Sequence, residues 1–128
     1  MKAADLMMGD WVGRVFNDKR IIEDYRQVDW IRTGEIGMRY QKVWSIGCIE
    51  PIPLTSEILE KNGFWVMENV NNGAEEYIAY ATAGLMFHYN RDNDYYFPNT
   101  PISRKYVHEL QHALRLCGLD ELADNFKI

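Results

Sequence analysis

The sequence predicts an α+β protein, in which a small, strongly bent antiparallel β-barrel of the Src-homology-like kind precedes a helix, an antiparallel β-meander and a C-terminal packing helix. Short segments rich in Val, Ile, Trp and Tyr and separated by glycines fill the first part of the chain. The pattern changes at Pro51 and Pro53, after which helix signals and short hairpin links appear. We therefore divide the chain into residues 1–54, a barrel-like subdomain, and residues 55–128, an α-β-meander-α subdomain, and expect the two to pack as one unit.

Strands are predicted to dominate before residue 51. Its strand candidates are the segments "GDWVGRVF", "RQVDWIRTG" and "GMRYQKVWSIGCIEPI". The last of these alternates between two faces, as a half-buried strand requires. The mostly apolar face comprises Tyr40, Lys42, Trp44, Ile46 and Cys48. We expect a continuous strand here, with no helix within residues 38–50.

The second subdomain begins with a helix signal at residues 55–62. Thr55 is the predicted N-cap, and the pair Asn62 and Gly63 is predicted to end the helix. Four strand candidates follow, "FWVMENV", "EYIAYAT", "LMFHYN" and "DYYFP", and their links are short enough for hairpins. These short links predict an antiparallel meander.

A last long helix is predicted near residues 104–117, with Ser103 as its N-cap and Gly118 as its end. Leu110 and Leu114 are predicted to be its buried anchors. At 100° per residue, one side of this helix is apolar. That side comprises Tyr106, Val107, Leu110, Ala113, Leu114 and Cys117. His108 and His112 share the opposite face, which we expect to be solvated.

The segment "HELQH" in this helix spells H-E-x-x-H, the zinc-peptidase signature. In such enzymes His108 and His112 would bind zinc, and Glu109 would act as general base. The extended patterns need a third ligand, but Arg115 and Gly118 stand where one of them requires Gly and His. We therefore predict that the motif is incidental, with no catalytic residue, metal or cofactor, and that neither imidazole has a carboxylate or thiolate within ligand reach. A zinc-dependent hydrolase stays as an alternative, with Cys48, His88 or Glu121 as its third ligand.

Aromatic residues provide a candidate binding surface. The chain contains 4 Trp, 8 Tyr and 5 Phe, more than a core of this size holds. Tyr95, Tyr96 and Phe97 are consecutive, so at least one of them points outward in a strand. Exposed aromatic side chains favour binding of a protein or peptide partner.

Composition and charge restrict the classes of function. The net charge of −5 arises in residues 55–128, because residues 1–54 contain equal numbers of basic and acidic residues. Nucleic-acid binding is therefore disfavoured for the second subdomain, and stays an alternative for the first through Arg32, Arg39 and Lys42. Cys48 and Cys117 are expected to be unpaired in a reducing cytoplasm. No apolar run suggests a signal peptide or a membrane span.

Three segments, "DLMMGDWV", "IEPIPLTSEILEKNGF" and "SRKYVHELQHAL", resemble in this order a group of small uncharacterised proteins of Bacteroidetes genomes and their prophages. In that group Gln and Asn stand at the positions of Glu109 and His112, which implies that the zinc spelling is incidental here. The resemblance covers about a third of the chain and implies a protein of mobile-element type. We therefore predict a cytoplasmic, non-catalytic interaction protein that binds a protein or peptide partner.

Overall fold

The computed structural model of the chain describes residues 5–15, 21–40, 42–71, 73, 76–82, 85–90, 95–96 and 103–128. The chain forms two compact units. Unit 1 comprises Met1–Pro53, Tyr106–Phe126 and Ile128, and unit 2 comprises Leu54–Lys105 and Lys127. The α+β class is confirmed. One boundary between the units lies near residue 54, and the C-terminal helices group with the N-terminal strands rather than with the meander.

Unit 1 contains a five-stranded antiparallel sheet. Its strands are β1 (Trp11–Val15), β2 (Ile22–Arg32), β3 (Glu35–Met38), β4 (Lys42–Ser45) and β5 (Ile49–Glu50). The strand order is β4-β3-β2-β1-β5, so the long strand β2 pairs with both β1 and β3. No hydrogen-bonded closure between β4 and β5 is found among the described residues.

A single 3₁₀ turn at Ile46–Cys48 separates β4 from β5. The predicted continuous strand through Cys48 is therefore wrong, and so is the prediction of no helix within residues 38–50. The chain must turn at this point, because β4 pairs with β3 whereas β5 pairs with β1 at the other edge of the sheet. Of the predicted apolar face, Trp44 is buried, whereas Tyr40 and Lys42 are exposed.

The strands of this sheet contribute most of a hydrophobic core in unit 1. Its buried residues are Leu6, Val12, Val28, Ile36, Met38, Trp44 and Ile49. Gly37 in β3 faces Trp30 in β2, and a Cβ added at Gly37 would lie 1.9 Å from a ring atom of Trp30. Only glycine lets the indole ring pack this closely on the backbone.

Unit 2 begins with α1 (Ser56–Lys61). Thr55 caps this helix by accepting a hydrogen bond from the Ile58 amide at 3.2 Å, and Gly63 follows its end at φ +81°. The predicted helix at residues 55–62 is thus confirmed. The strands that follow are β6 (Trp65–Asn71), β7 (Glu76–Thr82), β8 (Leu85–Asn90), β9 (Tyr95–Tyr96) and β10 (Ser103–Arg104).

These strands form a second antiparallel sheet of order β10-β9-β8-β7-β6, which confirms the predicted meander. Strand β6 lies at one end of this order. Ser103 belongs to β10, so its predicted role as helix N-cap is wrong. Leu59, Phe64, Ala79 and Tyr80 are among the buried residues of this unit.

The long C-terminal helix, α2 (Val107–Leu116), and the short α3 (Asp120–Asp124) complete unit 1. Helix α2 begins after Tyr106, which forms a β-bridge with Pro53. Leu110 and Leu114 are fully buried, as predicted. Cys117 is exposed instead of joining the apolar side, because it lies beyond the last helical residue. Within the described residues, no helix combines the length and apolar character needed to cross a membrane.

Candidate functional site

The histidine face of α2 is largely buried, so the predicted solvated face is wrong. His108 is 7% exposed, and the side chain of His112 is 27% exposed. The segment that leads into β1 lies on this face, where the Trp11 amide donates to Oε1 of Gln111 at 2.9 Å. The error has a physical cause, because a periodicity argument finds only apolar contacts, whereas this face is covered through polar ones.

Asp10 is the centre of these polar contacts, and its carboxylate is fully buried. Its Oδ2 lies 2.6 Å from Nε2 of His112, and its Oδ1 accepts from Nη1 of Arg115 at 2.8 Å. The Met7 amide also donates to Oδ2 at 2.8 Å. The prediction that neither imidazole has a carboxylate within ligand reach is therefore wrong for His112. A buried carboxylate needs such partners, since desolvation without them is costly.

Two buried glutamines extend the network. Nε2 of Gln111 donates to the carbonyls of Gly9 and Ala123, both at 2.9 Å. Nε2 of Gln27 donates to the carbonyls of Gly9 and Asp124, both at 3.0 Å. We call this network the polar clamp, and its members are Asp10, Gln27, Gln111, His112 and Arg115. It joins the start of β1 to α2 and α3, so these hydrogen bonds hold the three elements together.

Gly9 is required by the polar clamp for two reasons. Its φ of +90° lies in the region that favours glycine. A Cβ at this position would also lie 3.0 Å from Nη2 of Arg115 and 3.1 Å from Oδ1 of Asp124. No local pattern predicts the polar clamp, because its partners are about a hundred positions apart in the chain.

Glu109, the candidate general base, is engaged in helix capping. Its Oε1 accepts a hydrogen bond from the Tyr106 amide at 3.1 Å, which satisfies a free N–H group at the start of α2. A carboxylate held in this way is not free to turn toward a metal-bound water. In this structure the candidate general base of the zinc interpretation, Glu109, is engaged in capping, and Nε2 of His112 is engaged with Asp10.

The candidate third zinc ligands lie in different elements. Cys48 is in the 3₁₀ turn of unit 1, Glu121 is exposed in α3, and His88 is in β8 of unit 2. Within the part of the chain that the structure describes, no three His, Cys, Asp or Glu residues are grouped as a metal site requires. The structure thus brings His108 and His112 together, with no third ligand grouped beside them in the described ranges.

An open groove of about 790 Å³ lies beside the first turns of α2 in unit 1. Its lining residues are Asp5, Met7, Glu50, Pro51, Tyr106, His108, Glu109 and His112. Inside it, the rings of Tyr106 and His108 stack with centroids 6.1 Å apart. The ring of His112 meets that of His108 edge-on at 5.7 Å. The groove is therefore acidic at several points and aromatic on one wall.

His108 is the member of the H-E-x-x-H segment with an unpaired ring nitrogen among the described residues. Its Nδ1 is buried and has no hydrogen-bond partner in the described part of the chain. Burial lowers the pKa of His108 below its ordinary value of 6.5, although the charges of Asp10 and Glu109 act in the opposite direction. The imidazole is therefore neutral near pH 7, with one unsatisfied nitrogen.

The predicted aromatic surface falls largely outside the described residues. Tyr95 and Tyr96 are the two residues of β9, and Phe97 lies outside the described part of the chain. A different apolar surface appears on β6, where Trp65, Val66 and Met67 are 56%, 48% and 46% exposed. Sequence reasoning missed it, because an edge strand and a buried strand of this composition look alike.

The three cations proposed for nucleic-acid binding lie at the two ends of β3. Arg32 is paired with Glu35 at one end, with Nη2 and Oε2 2.6 Å apart. Arg39 and Lys42 lie at the other end, where Lys42 pairs in register with Met38. The four-residue strand separates the two groups by roughly 10 Å. Arg32 thus lies apart from Arg39 and Lys42, and its ion pair with Glu35 offsets part of its charge.

In comparisons with known proteins, no family model matches the chain, and no curated protein or solved structure is significantly similar to it. The segments that carry the resemblance described above have clear positions in the fold. "DLMMGDWV" supplies part of the polar clamp, "IEPIPLTSEILEKNGF" contains β5 and α1, and "KYVHELQHAL" contains most of α2. The function must therefore be inferred from the geometry of the chain itself.

Proposed function

We propose that the chain is a non-catalytic interaction protein that binds an extended segment of a protein or peptide partner along β6 of unit 2. The observation that carries the proposal is the run of Trp65, Val66 and Met67, each about half exposed on the outermost strand of the sheet. Neighbouring side chains of a strand point to opposite faces, so both faces of this strand are apolar. An added strand would bury apolar side chains on both faces while pairing its backbone with β6.

The composition of β6 also supports this proposal. Edge strands that must stay solvated are usually protected by Lys, Pro or short length. Strand β6 has seven residues, no Lys or Pro, and Glu68 as its only charged residue. A register shift relative to β7 between Val66 and Glu68 leaves Met67 outside the regular pairing. A partner strand would cover a surface that is costly to expose to water.

A hydrolytic role is less well supported by the same geometry. Glu109 caps α2, and His112 is bound to the buried Asp10. The groups that an H-E-x-x-H enzyme would use are thus already engaged in holding unit 1 together. Binding without catalysis requires no free nucleophile or general base.

A second part of the proposal concerns the fold of unit 1. We infer that the sheet is bent in the Src-homology-like manner. Support comes from the long β2, which pairs with β1 along one part and with β3 along another, with a register shift between Val28 and Trp30. A 3₁₀ turn before a last strand that returns to β1 fits the same arrangement. The mobile-element assignment is supported by the resemblance of the sequence segments, and the cytoplasmic assignment by the two free cysteines, Cys48 and Cys117.

The test is selection of peptides from a random display library on the full chain. Peptides that bind should lose at least about tenfold in affinity on Trp65→Thr or Val66→Lys, since hot-spot side chains contribute this much. Tyr40→Thr is the matched control, because Tyr40 is 82% exposed in a turn of unit 1. Its effect should be below about twofold.

Hydrogen exchange supplies the second readout. Bound peptide should slow exchange of backbone amides within Trp65–Asn71, because an added strand occupies outward-facing N–H groups. Peptides that bind both β6 variants as tightly as the unaltered chain, or that protect no amide of β6, would show that the edge is not the docking surface.

A further inference from the structure

We propose that the partner segment on β6 contains a lysine or arginine, whose side chain lies over the ring of Trp65 and reaches the carboxylate of Glu68. This inference rests on the proposed function, because it names the chemistry of the segment that binds this edge. Three observations carry it: the bulge in β6, the exposure of the two side chains and the charge of the neighbouring strands.

The bulge in β6 brings Trp65 and Glu68 to one face of the sheet. Trp65 pairs in register with Ala81. Glu68 pairs with Ala79, and Met67 is the extra residue of the bulge. Cross-strand partners share a face, and residues two apart on β7 point to the same side. In a regular strand, residues three apart point to opposite faces, so the bulge turns Glu68 toward the side of Trp65.

The spacing of the two side chains suits a long cationic side chain. Their partners on β7 are two residues apart, so the positions of Trp65 and Glu68 are about 7 Å apart along the edge. Lys and Arg lay their methylene groups along apolar surface, and their charged ends bind favourably over aromatic faces. A stem that lies on the indole ring therefore brings its N–H groups to the carboxylate of Glu68, where the hydrogen bonds are charge-assisted.

Both side chains are exposed on the strand at the end of the sheet order. Trp65 is 56% exposed, and Glu68 is exposed as well. Among the described residues, no ion pair involves Glu68. A partner strand on β6 desolvates this carboxylate in part, and a desolvated charge needs a counter-charge. A basic residue in the partner segment supplies that charge.

The charge of the neighbouring strands favours the same partner. Strands β6, β7 and β8 contain two acidic residues, Glu68 and Glu76, and no Lys or Arg. A second copy of this chain is a poorer occupant, because its own β6 brings another Glu68 and no cation, and like charges across strands are destabilising. The complementary partner is an extended apolar segment with at least one basic residue.

The test begins with peptides selected on the full chain from a random display library, keeping those that protect the amides of Trp65–Asn71. Lys or Arg should be enriched at one position of these peptides. Replacing that residue by Gln should weaken binding about fivefold, and replacing it by Glu at least about tenfold, as measured by calorimetry. Added salt should reduce the difference between the basic and the Gln peptide.

Variants of the chain show whether the basic residue meets Glu68. Glu68→Gln should weaken binding of the basic peptide about fivefold and change that of the Gln peptide less than about twofold, so the two changes are coupled. Glu68→Lys should reverse the preference, with the Glu peptide bound more tightly than the basic one. Glu60→Lys makes the same charge change at an exposed position of α1 and should preserve the preference. Trp65→Leu removes the ring and should weaken the basic peptide more than the Gln peptide.

The outcomes separate this inference from the proposed function. Peptides that protect β6 without enrichment of Lys or Arg, or that bind Glu68→Lys as tightly as the unaltered chain, would overturn the inference and leave β6 as a docking edge. Self-association in analytical ultracentrifugation that Trp65→Thr abolishes would make a second copy the occupant and would overturn it too. If no selected peptide protects β6, the proposed function itself fails, and this inference fails with it.

Discussion

Replacing Asp10 tests whether the polar clamp holds unit 1 together. Asp10→Ala removes a fully buried carboxylate and takes away the acceptor of the His112 ring, of Nη1 of Arg115 and of the Met7 amide. The Arg115 side chain is only 13% exposed, so water cannot fully replace the lost partner. Breaking a buried pair from one side costs about 3–5 kcal/mol. Asp10→Asn keeps the shape and one oxygen, so we expect a smaller loss of about 1–3 kcal/mol.

The assay is urea unfolding at pH 7, followed by fluorescence and far-UV circular dichroism with linear extrapolation of the free energy of unfolding. Asp29→Ala is the matched control, since Asp29 is an exposed residue of β2. It should change the free energy of unfolding by less than about 0.5 kcal/mol. If Asp10→Ala were as mild as this control, the clamp would contribute nothing measurable and its structural role would be refuted.

Three further predictions concern unit 1. Leu110→Ala or Leu114→Ala should each lower the free energy of unfolding by about 2–5 kcal/mol in urea unfolding, since both side chains are fully buried. His108→Phe should raise it by about 1–2 kcal/mol at pH 7.5, because it removes an unsatisfied nitrogen. Because the pKa of His108 is lowered in the folded chain, protonation of its ring favours unfolding. Below about pH 6.5, the free energy of unfolding of the unaltered chain should therefore fall by up to about 1.4 kcal/mol per pH unit relative to that of His108→Phe. Parallel pH profiles of the two chains would contradict this. Gly37→Ala should cost about 1–3 kcal/mol by thermal or urea unfolding, since the new methyl overlaps the Trp30 ring, and an unchanged midpoint would contradict that packing.

Local features of the fold were predictable from the sequence because neighbouring residues decide them. Thr55 caps α1 and Gly63 ends it, and each of these roles depends on backbone geometry within a few positions. The meander followed from links too short for anything except antiparallel pairing. The buried side of α2 followed from the period of Leu110 and Leu114.

Long-range features were not predictable in the same way. The N-terminus of α2 was placed too early, because Ser103 has an N-cap's chemistry, whereas pairing with β9 places it in a strand. Nothing local indicates that Gln111 meets Trp11 or that His112 meets Asp10. Such contacts depend on which distant segment reaches the helix, and a single sequence contains no direct signal of that.

The H-E-x-x-H segment shows how packing and catalysis can use one spacing. Residues four apart on a helix share a face, and this holds for a metal, for a buried carboxylate and for an aromatic stack alike. In this chain His112 turns to Asp10 and Glu109 turns back to the helix start, so both lie where their hydrogen bonds stabilise unit 1. Nδ1 of His108 is buried and has no hydrogen-bond partner in the part of the chain that the structure describes. A motif assigned from spacing alone should therefore be judged by the hydrogen-bond partners of each of its side chains.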